Sequence, residues 1–541
     1  MIKVSLKQLK ILIIEDNSVM RTNIKEMLYL AQGKDITEAR NAEIGITAME
    51  QQVFDIVLCD YNLGMGKNGQ QLLEEAKYRK LLPCSSIFIM VTAQNTQEIV
   101  LGAMENKPDD YITKPFNAQQ LLGRLEKLLV RKNYVMNVEK AMDAGKYNLA
   151  IQYCDQLLEQ NHPAMHTQLL KTRAELAILV GDLDTAEQKY QQILQHRELS
   201  WARHGLGVVA FSKNQFERAI EAFQQVIAES PTLMESYDWL ARCYEVTQQP
   251  ELAQEILNTA VALSPQAILR QQKLGALADK SGNLEVAKKA YRTAVDLGKF
   301  SVHKSSNDFS SLAKIYNKTN ESKHAMKILA EMRTAFQQDP EAELRCALME
   351  AQLYTEQKNP ALAAEAIGKI HKQHANIKLM PKDLRLDIVR VLYNAGSTKL
   401  AYQLISELIN DNVDDDHFLN ELRSIYQDGK FHDQAELLIQ HTKQELIDIN
   451  NKAVLLFRQG QVELALNMLS ESINKMPGNR TILMNMAIIL VQDMKANGVN
   501  EKKLAKVQEC ITKAQSLGVA PNKINQIQVE FAKLSHPQSS H

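Results

Sequence analysis

A thirty-four-residue repeat constrains this chain more than any other feature. Reading from Leu206, the sequence carries Leu206-Gly207, Ala219, Phe223 and Pro231. Thirty-four residues on it carries Leu240-Ala241, Ala253, Leu257 and Pro265, and a further thirty-four gives Leu274-Gly275, Ala287 and Tyr291. A period of this length is one supersecondary unit that cannot bury its apolar face alone, so copies must stack. Small residues fall where two helix backbones approach closely, and the large residue four places after the alanine fills the gap to the next unit. The same skeleton recurs less regularly around Ala150, Ala186, Ala325, Ala363, Ala401, Ala435, Ala465 and Ala505. Most copies have a turn residue shortly before: Gly145, Gly181, Asn320, Gly396, Gly429 or Gly460. The spacing predicts about ten or eleven helix pairs, clearest over 200–298.

Composition agrees with this reading. Gly (21) and Pro (13) together make about 6% of 541 residues, half the average share. One short turn per helix pair needs few chain-bending residues. This disfavours an all-β chain with many turns and rules out a collagen-like or Pro/Gly-rich disordered chain. The pattern resembles tetratricopeptide (TPR) repeats. The resemblance implies an all-α solenoid whose extended concave face binds a protein or peptide ligand. The competing reading is that the repeats only carry the N-terminal part.

That N-terminal part is different. Lys10-Ile11-Leu12-Ile13-Ile14, Asp55-Ile56-Val57-Leu58-Cys59, Ile87-Phe88-Ile89-Met90-Val91 and Asp110-Tyr111-Ile112-Thr113 read as buried strands. Helical patterns such as Ser18 to Leu30 and Gln70 to Lys80 lie between them. Uninterrupted apolar strands alternating with helices predict a parallel sheet covered on both faces. Ligands of such sheets sit at the carboxyl ends of the strands. There the sequence places Glu15-Asp16, Asp60, Thr92-Ala93 and Lys114-Pro115. Three carboxylates, one hydroxyl and one ammonium would converge on one edge. Clustered carboxylates repel unless a cation joins them, and hard oxygen ligands with room for water suit Mg²⁺ better than zinc. A carboxylate between a divalent cation and a lysine is set up as a nucleophile toward phosphorus.

These residues, in this order, resemble a response-regulator receiver domain of two-component signalling, of the chemotaxis type, over residues 8–130. The resemblance implies a doubly wound, five-stranded parallel α/β sheet of flavodoxin-like fold. It makes Asp60 the phosphoacceptor, loaded by a sensor histidine kinase or a phosphotransfer protein. Asp16 becomes a direct ligand of Mg²⁺ (or Mn²⁺), Glu15 helps mainly through water, and Asn62 offers its backbone carbonyl. Lys114 pairs with the phosphoryl group, its bond to Pro115 is cis, and Thr92 donates a hydrogen bond to a phosphoryl oxygen. Thr92 and Tyr111 form the switch pair. Their signal would reach the face made by the segment between the fourth and fifth strands, the fifth strand and the helix after it. The loop Tyr61 to Gly69 departs from the family in lacking a proline and in being one residue longer, and the acid pair is Glu-Asp.

The helix from Asn117 to about Leu129 leads through Val130–Asn137 without Gly or Pro, which predicts a continuous or nearly rigid join. The expected order is a receiver at 8–130, a helical linker at 131–137, repeats at 138–534 and a polar tail at 535–541. Activity is expected to stop at the receiver's own phosphotransfer and dephosphorylation, so the chain is not otherwise an enzyme. Homodimerisation through the receiver is left open.

Several function classes drop out. Lys+Arg (63) balance Asp+Glu (64), so no basic excess marks a nucleic-acid partner. The chain shows no compact DNA-binding module, Walker loop or cyclase signature after residue 130. Six well-separated cysteines without C-x-x-C spacing read as reduced thiols of a cytoplasmic protein. The run Ile11 to Ile14 is too short for a signal peptide, and Ile482 to Val491, broken by Asn485, is too short to insert in a membrane. Asp411, Asp414, Asp415 and Asp416 lack EF-hand spacing and read as a helix-capping loop. Trp201 and Trp239 read as packing residues, and Met484 and Met486 as core or an adaptable surface. Three rivals stand beside the signalling reading. One is a phosphorylation-independent scaffold with a vestigial receiver, and another a DNA-binding regulator. The third, a dehalogenase-type phosphatase, needs an acid where Asn62 stands.

Overall fold

The computed structural model describes residues 5–93, 106–160, 162–377, 379–425, 430–519 and 521–535. Two compact units divide the chain, Met1–Gln337 and Gln338–His541.

The first unit begins with five parallel strands, β1 (Lys10–Ile14), β2 (Asp35–Ala39), β3 (Ile56–Asp60), β4 (Ile87–Thr92) and β5 (Asp110–Thr113), in the order β2-β1-β3-β4-β5. Helices α1 (Ser18–Tyr29), α2 (Ala42–Gln51), α3 (Gly69–Tyr78) and α4 (Ala118–Asp143) cover it. Alternation along each strand fills two cores. Ile11, Ile13, Leu58 and Ile89 meet α1 and α4 residues such as Ile24 and Leu125, while Leu12, Ile14, Val57 and Phe88 meet Ile46, Leu72 and Leu73 of α2 and α3. The second strand, which carried no apolar run, is Asp-Ile-Thr-Glu-Ala at the sheet edge, with only Ala39 buried.

Asn117 caps α4 by accepting from the Gln120 N–H, and the helix then runs 26 residues without a break. It is more than a tether. Lys132 is buried and reaches Asp109 at 3.2 Å and Glu139 at 3.1 Å, and it donates to the Cys84 carbonyl. One turn beyond Glu139, Asp143 accepts from the backbone N–H of Cys84 at 2.7 Å and from the Ser85 hydroxyl at 3.1 Å. The second half of α4 therefore grips the loop before β4 and also packs on the next helix, Tyr147–Glu159.

Helix pairs follow to Ala335. In two of the three clearest, the small residue is glycine because a ring occupies its space. A Cβ on Gly207 would lie 2.6 Å from the Phe223 ring, and one on Gly275 would lie 3.0 Å from the Tyr291 ring. Ala219, Ala253 and Ala287 are fully buried. Gly205, which the repeat did not single out, faces Tyr190 in the same way. Trp239 packs edge-on to Phe211 at 5.2 Å, with Arg242 over its ring. Trp201 lies under the Lys171 ammonium at 5.0 Å.

The second unit holds the helices from Pro340–Glu356 to Pro521–Ser535 around one apolar core. The looser copies turn out to have a rule of their own. Left-handed turn residues recur thirty-four apart at Asn214, Gln248 and Gly282, then thirty-eight apart at Asn320, Lys358 and Gly396. Ala465 lies in the helix Val462–Lys475 after the left-handed Gly460, as the spacing predicts, whereas Lys430–Arg458, which contains Ala435, is one 29-residue helix with no Gly or Pro where two shorter helices were expected. Asp415 caps the next helix by accepting from the Phe418 N–H at 3.1 Å. Asp411 and Asp414 do something else: they accept from the backbone N–H groups of Gly478 (3.1 Å) and Thr481 (3.0 Å). Met486 is buried, whereas Met484 lines a cavity of about 660 Å³ with Asn485. No described helix is long and apolar enough to cross a membrane. Gly429, residues 94–105 of the expected signalling face and residues 536–541 of the tail lie outside the described residues.

Candidate functional site

Strand register brings the site together. Ile14 pairs with Cys59, Asp60 with Val91, and Thr92 with Thr113. Four strand ends therefore meet at one edge, and the residues that follow them, Glu15, Asp16 and Lys114, join Asp60 and Thr92 there. Glu15, Asp60 and Thr92 are buried, Lys114 and Tyr111 are half-buried, and Asp16 is exposed. The Lys114–Pro115 peptide is cis.

Lys114 Nζ bridges two acids, 2.8 Å from Glu15 Oε2 and 2.9 Å from Asp60 Oδ2. One lysine does not balance three carboxylates. Burial pushes the Asp60 carboxyl above its ordinary range; Lys114 and the Asn62 backbone N–H oppose this, and the charge of Asp16 adds to it. Burial likewise raises Glu15, against the Lys114 hydrogen bond and with repulsion from Asp60. Burial alone would lower Lys114, but hydrogen bonds to Glu15 and Asp60 outweigh it and raise it.

Oxygen atoms of Glu15, Asp16 and Asp60 lie within 4.8 Å of one another. Hard oxygens, excess negative charge and an exposed third acid fit a small divalent cation that keeps some of its water. Asn62 completes the predicted set; its side-chain oxygen accepts from the Gly64 N–H at 3.4 Å.

Two supports were invisible in the sequence. Gly69 opens α3 against the end of β3: a Cβ there would lie 2.2 Å from the Asp60 carbonyl oxygen. Its N–H also donates to the Tyr61 carbonyl at 2.8 Å, which folds the long loop back. Arg21 donates to the Glu15 carbonyl at 2.7 Å and pairs with Glu38. Thr92 and Tyr111 meet directly, their side chains sharing a hydrogen bond.

Known proteins match the two parts separately. The family model of the response regulator receiver domain covers residues 11–126, and that of the tetratricopeptide repeat covers 210–278. Chemotaxis protein CheY of Pseudomonas aeruginosa is 30% identical over 125 residues, 23% of this chain and 99% of its own length. Aerobic respiration control protein ArcA of Escherichia coli is 31% identical over 141 residues, 26% of this chain. The chain spans only 57% of ArcA's length. A solved CheY-like receiver domain from Methanospirillum hungatei is 29% identical, covering 23% of this chain and 98% of its own, with a TM-score of 0.21. With a relative covered almost end to end and the family model matching the same residues, the chain belongs to the response-regulator receiver family and carries tetratricopeptide repeats after its receiver domain.

Proposed function

We propose that this chain is a phosphorylation-dependent adaptor in two-component signalling. A sensor histidine kinase or phosphotransfer protein donates a phosphoryl group to Asp60, and the protein contacts made by the repeats change. The observation that carries this is Lys114 bridging Glu15 and Asp60 at 2.8 and 2.9 Å, in an edge where three carboxylates face one ammonium.

Glu15, Asp16 and Asp60, with the Asn62 carbonyl, would hold Mg²⁺ or Mn²⁺. When bound, the cation neutralises phosphoryl oxygens and the acid cluster together. An Asp60 carboxylate oxygen bonds to phosphorus as the P–N bond to the donor's histidine breaks. The imidazole leaves with the electron pair and takes up a proton. Lys114 neutralises one phosphoryl oxygen, so catalysis is positioning plus electrostatics. Thr92 donates to another oxygen, and in turning there it gives up its hydrogen bond to Tyr111, which frees the phenol to move. The receiver performs its own phosphotransfer and dephosphorylation and no other chemistry. A kinase-fed receiver works in the cytoplasm, and the six free cysteines support that compartment.

Incubation with Mg²⁺ and acetyl phosphate is expected to label wild type and not Asp60→Asn. Wild type that takes no label would make the chain a phosphorylation-independent scaffold. Pull-downs with Asp60→Glu and Asp60→Ala, read by mass spectrometry, are expected to return different partner proteins.

A further inference from the structure

Within the first unit the receiver does not stand clear of the repeats. Its helix α3 reaches the connection between the helices Leu284–Leu297 and Ser306–Lys318. The Ser301 hydroxyl donates to Glu74 Oε2 at 2.8 Å, and His303 Nε2 lies 3.6 Å from Glu74 Oε1. The Tyr78 ring meets the His303 ring edge-on at 5.6 Å. Beside them, Asn68, Gln70 and Gln71 share a cleft with Gln266, Ile268 and Leu297. A second contact lies on another repeat, where Lys107 pairs with Glu235 at 2.5 Å. Lys77 of α3 donates to the carbonyls of Asn106 (2.6 Å) and Lys107 (2.8 Å), so both contacts belong to one braced piece of the receiver.

The sequence of the repeats supplies an independent observation. Ala219, Ala253 and Ala287 are thirty-four apart, but Ala325 follows Ala287 by thirty-eight. The helices on either side keep their lengths, so the four added residues fall in the connection between Leu297 and Ser306. Insertions in repeat proteins collect in loops on one face, often the binding face. This one is held in shape: His303 N–H donates to Ser301 Oγ at 3.0 Å, and Gln272 donates to the His303 carbonyl at 3.0 Å.

We propose that the inserted connection Gly298–Ser305 is a seat for the receiver's own α3. The unphosphorylated receiver thereby covers repeat surface from Glu235 to His303, and phosphorylation of Asp60 lifts it off to admit a protein partner. The path from site to seat is short. Gly69, the first residue of α3, packs on the Asp60 carbonyl. Lys107 lies three residues before β5, which carries Tyr111. The exposed Lys107–Glu235 pair contributes little; the half-buried Glu74 contacts carry the seat. The trigger rests on Asp60 being the phosphoacceptor; the seat itself does not.

Hydrogen exchange on the full chain separates the two. Amides of residues 298–305 are expected to exchange several-fold faster in Glu74→Ala/Tyr78→Ala than in wild type. Acetyl phosphate with Mg²⁺ is expected to give the same acceleration in wild type and none in Asp60→Asn. Unchanged exchange at 298–305 in the double variant overturns the seat. Accelerated exchange there, with no change in wild type whose intact mass shows phosphorylation, overturns the trigger. Wild type that gains no phosphoryl mass overturns the phosphoacceptor reading and the trigger with it, while the variants still decide the seat.

Discussion

At the seam between the helices Ser200–Ser212 and Phe216–Glu229, Gly207 leaves room for a Phe223 ring that is fully buried. At the carboxyl edge of the sheet, Glu15 and Asp60 are buried almost as deeply, with a single lysine between them and a third acid beside them. The seam is complete as it stands, since each group has the neighbour its chemistry asks for. The edge is incomplete, because two of its carboxyls are pushed up by burial, with repulsion from Asp60 on Glu15 and from Asp16 on Asp60 adding to it. Stability comes from the first kind of region. A site for a cation needs the second, where added positive charge removes a cost already present.

The contrast breaks most easily at the seam. Phe223→Ala is expected to cost about 3–5 kcal/mol, because the cavity cannot collapse between two rigid helices. Opening free energies from amide exchange across residues 200–230 measure it. A loss no larger than that of an exposed substitution would mean the seam is not where the repeats gain their stability.

The edge should respond to a cation rather than to shape. Mg²⁺ at roughly 100 times its Kd is expected to stabilise the receiver by about 2.7 kcal/mol. Asp16→Asn should abolish the gain while leaving the fold intact, since Asp16 is exposed. Thermal unfolding with and without chelator reads it. Equal stabilisation of the variant would move the cation elsewhere.

The smallest effect is a slope. Glu15 and Asp60 hold protons more tightly folded than unfolded. Their contribution to stability is therefore full below the ordinary carboxylate range and is lost as pH rises through their raised values. Without cation, the receiver should lose stability as pH rises through those values, and Asp60→Asn should flatten the curve. Urea unfolding from acid to neutral pH measures this; parallel curves for wild type and variant would contradict it.

The two regions also differ in how legible they were. Buried parallel strands are continuous apolar runs, so β1, β3 and β4 could be read directly, while β5, an edge strand with only Ile112 buried, was read as a short strand ahead of Lys114-Pro115. β2 could not, because an edge strand with one buried residue has no such run. Glu15, Asp60 and Lys114 were foreseen at one edge, but that Lys114 spans both acids depends on register. The repeats were plain where a small residue and the large residue that packs on it recurred at thirty-four-residue steps. They blurred where the period changed to thirty-eight. Asp411 and Asp414 looked like caps because their partners at Gly478 and Thr481 are more than sixty residues away.

If the unbalanced edge accepts a phosphoryl group on Asp60, the product is an acyl phosphate with its own chemical signature. Wild type treated with acetyl phosphate and Mg²⁺ should gain the mass of one phosphoryl group, lose it to hydroxylamine as an acyl phosphate must, and gain none with chelator present. Asp60→Asn should gain nothing under any of these conditions. A phosphoryl group that survives hydroxylamine, or one that Asp60→Asn still acquires, would contradict the account.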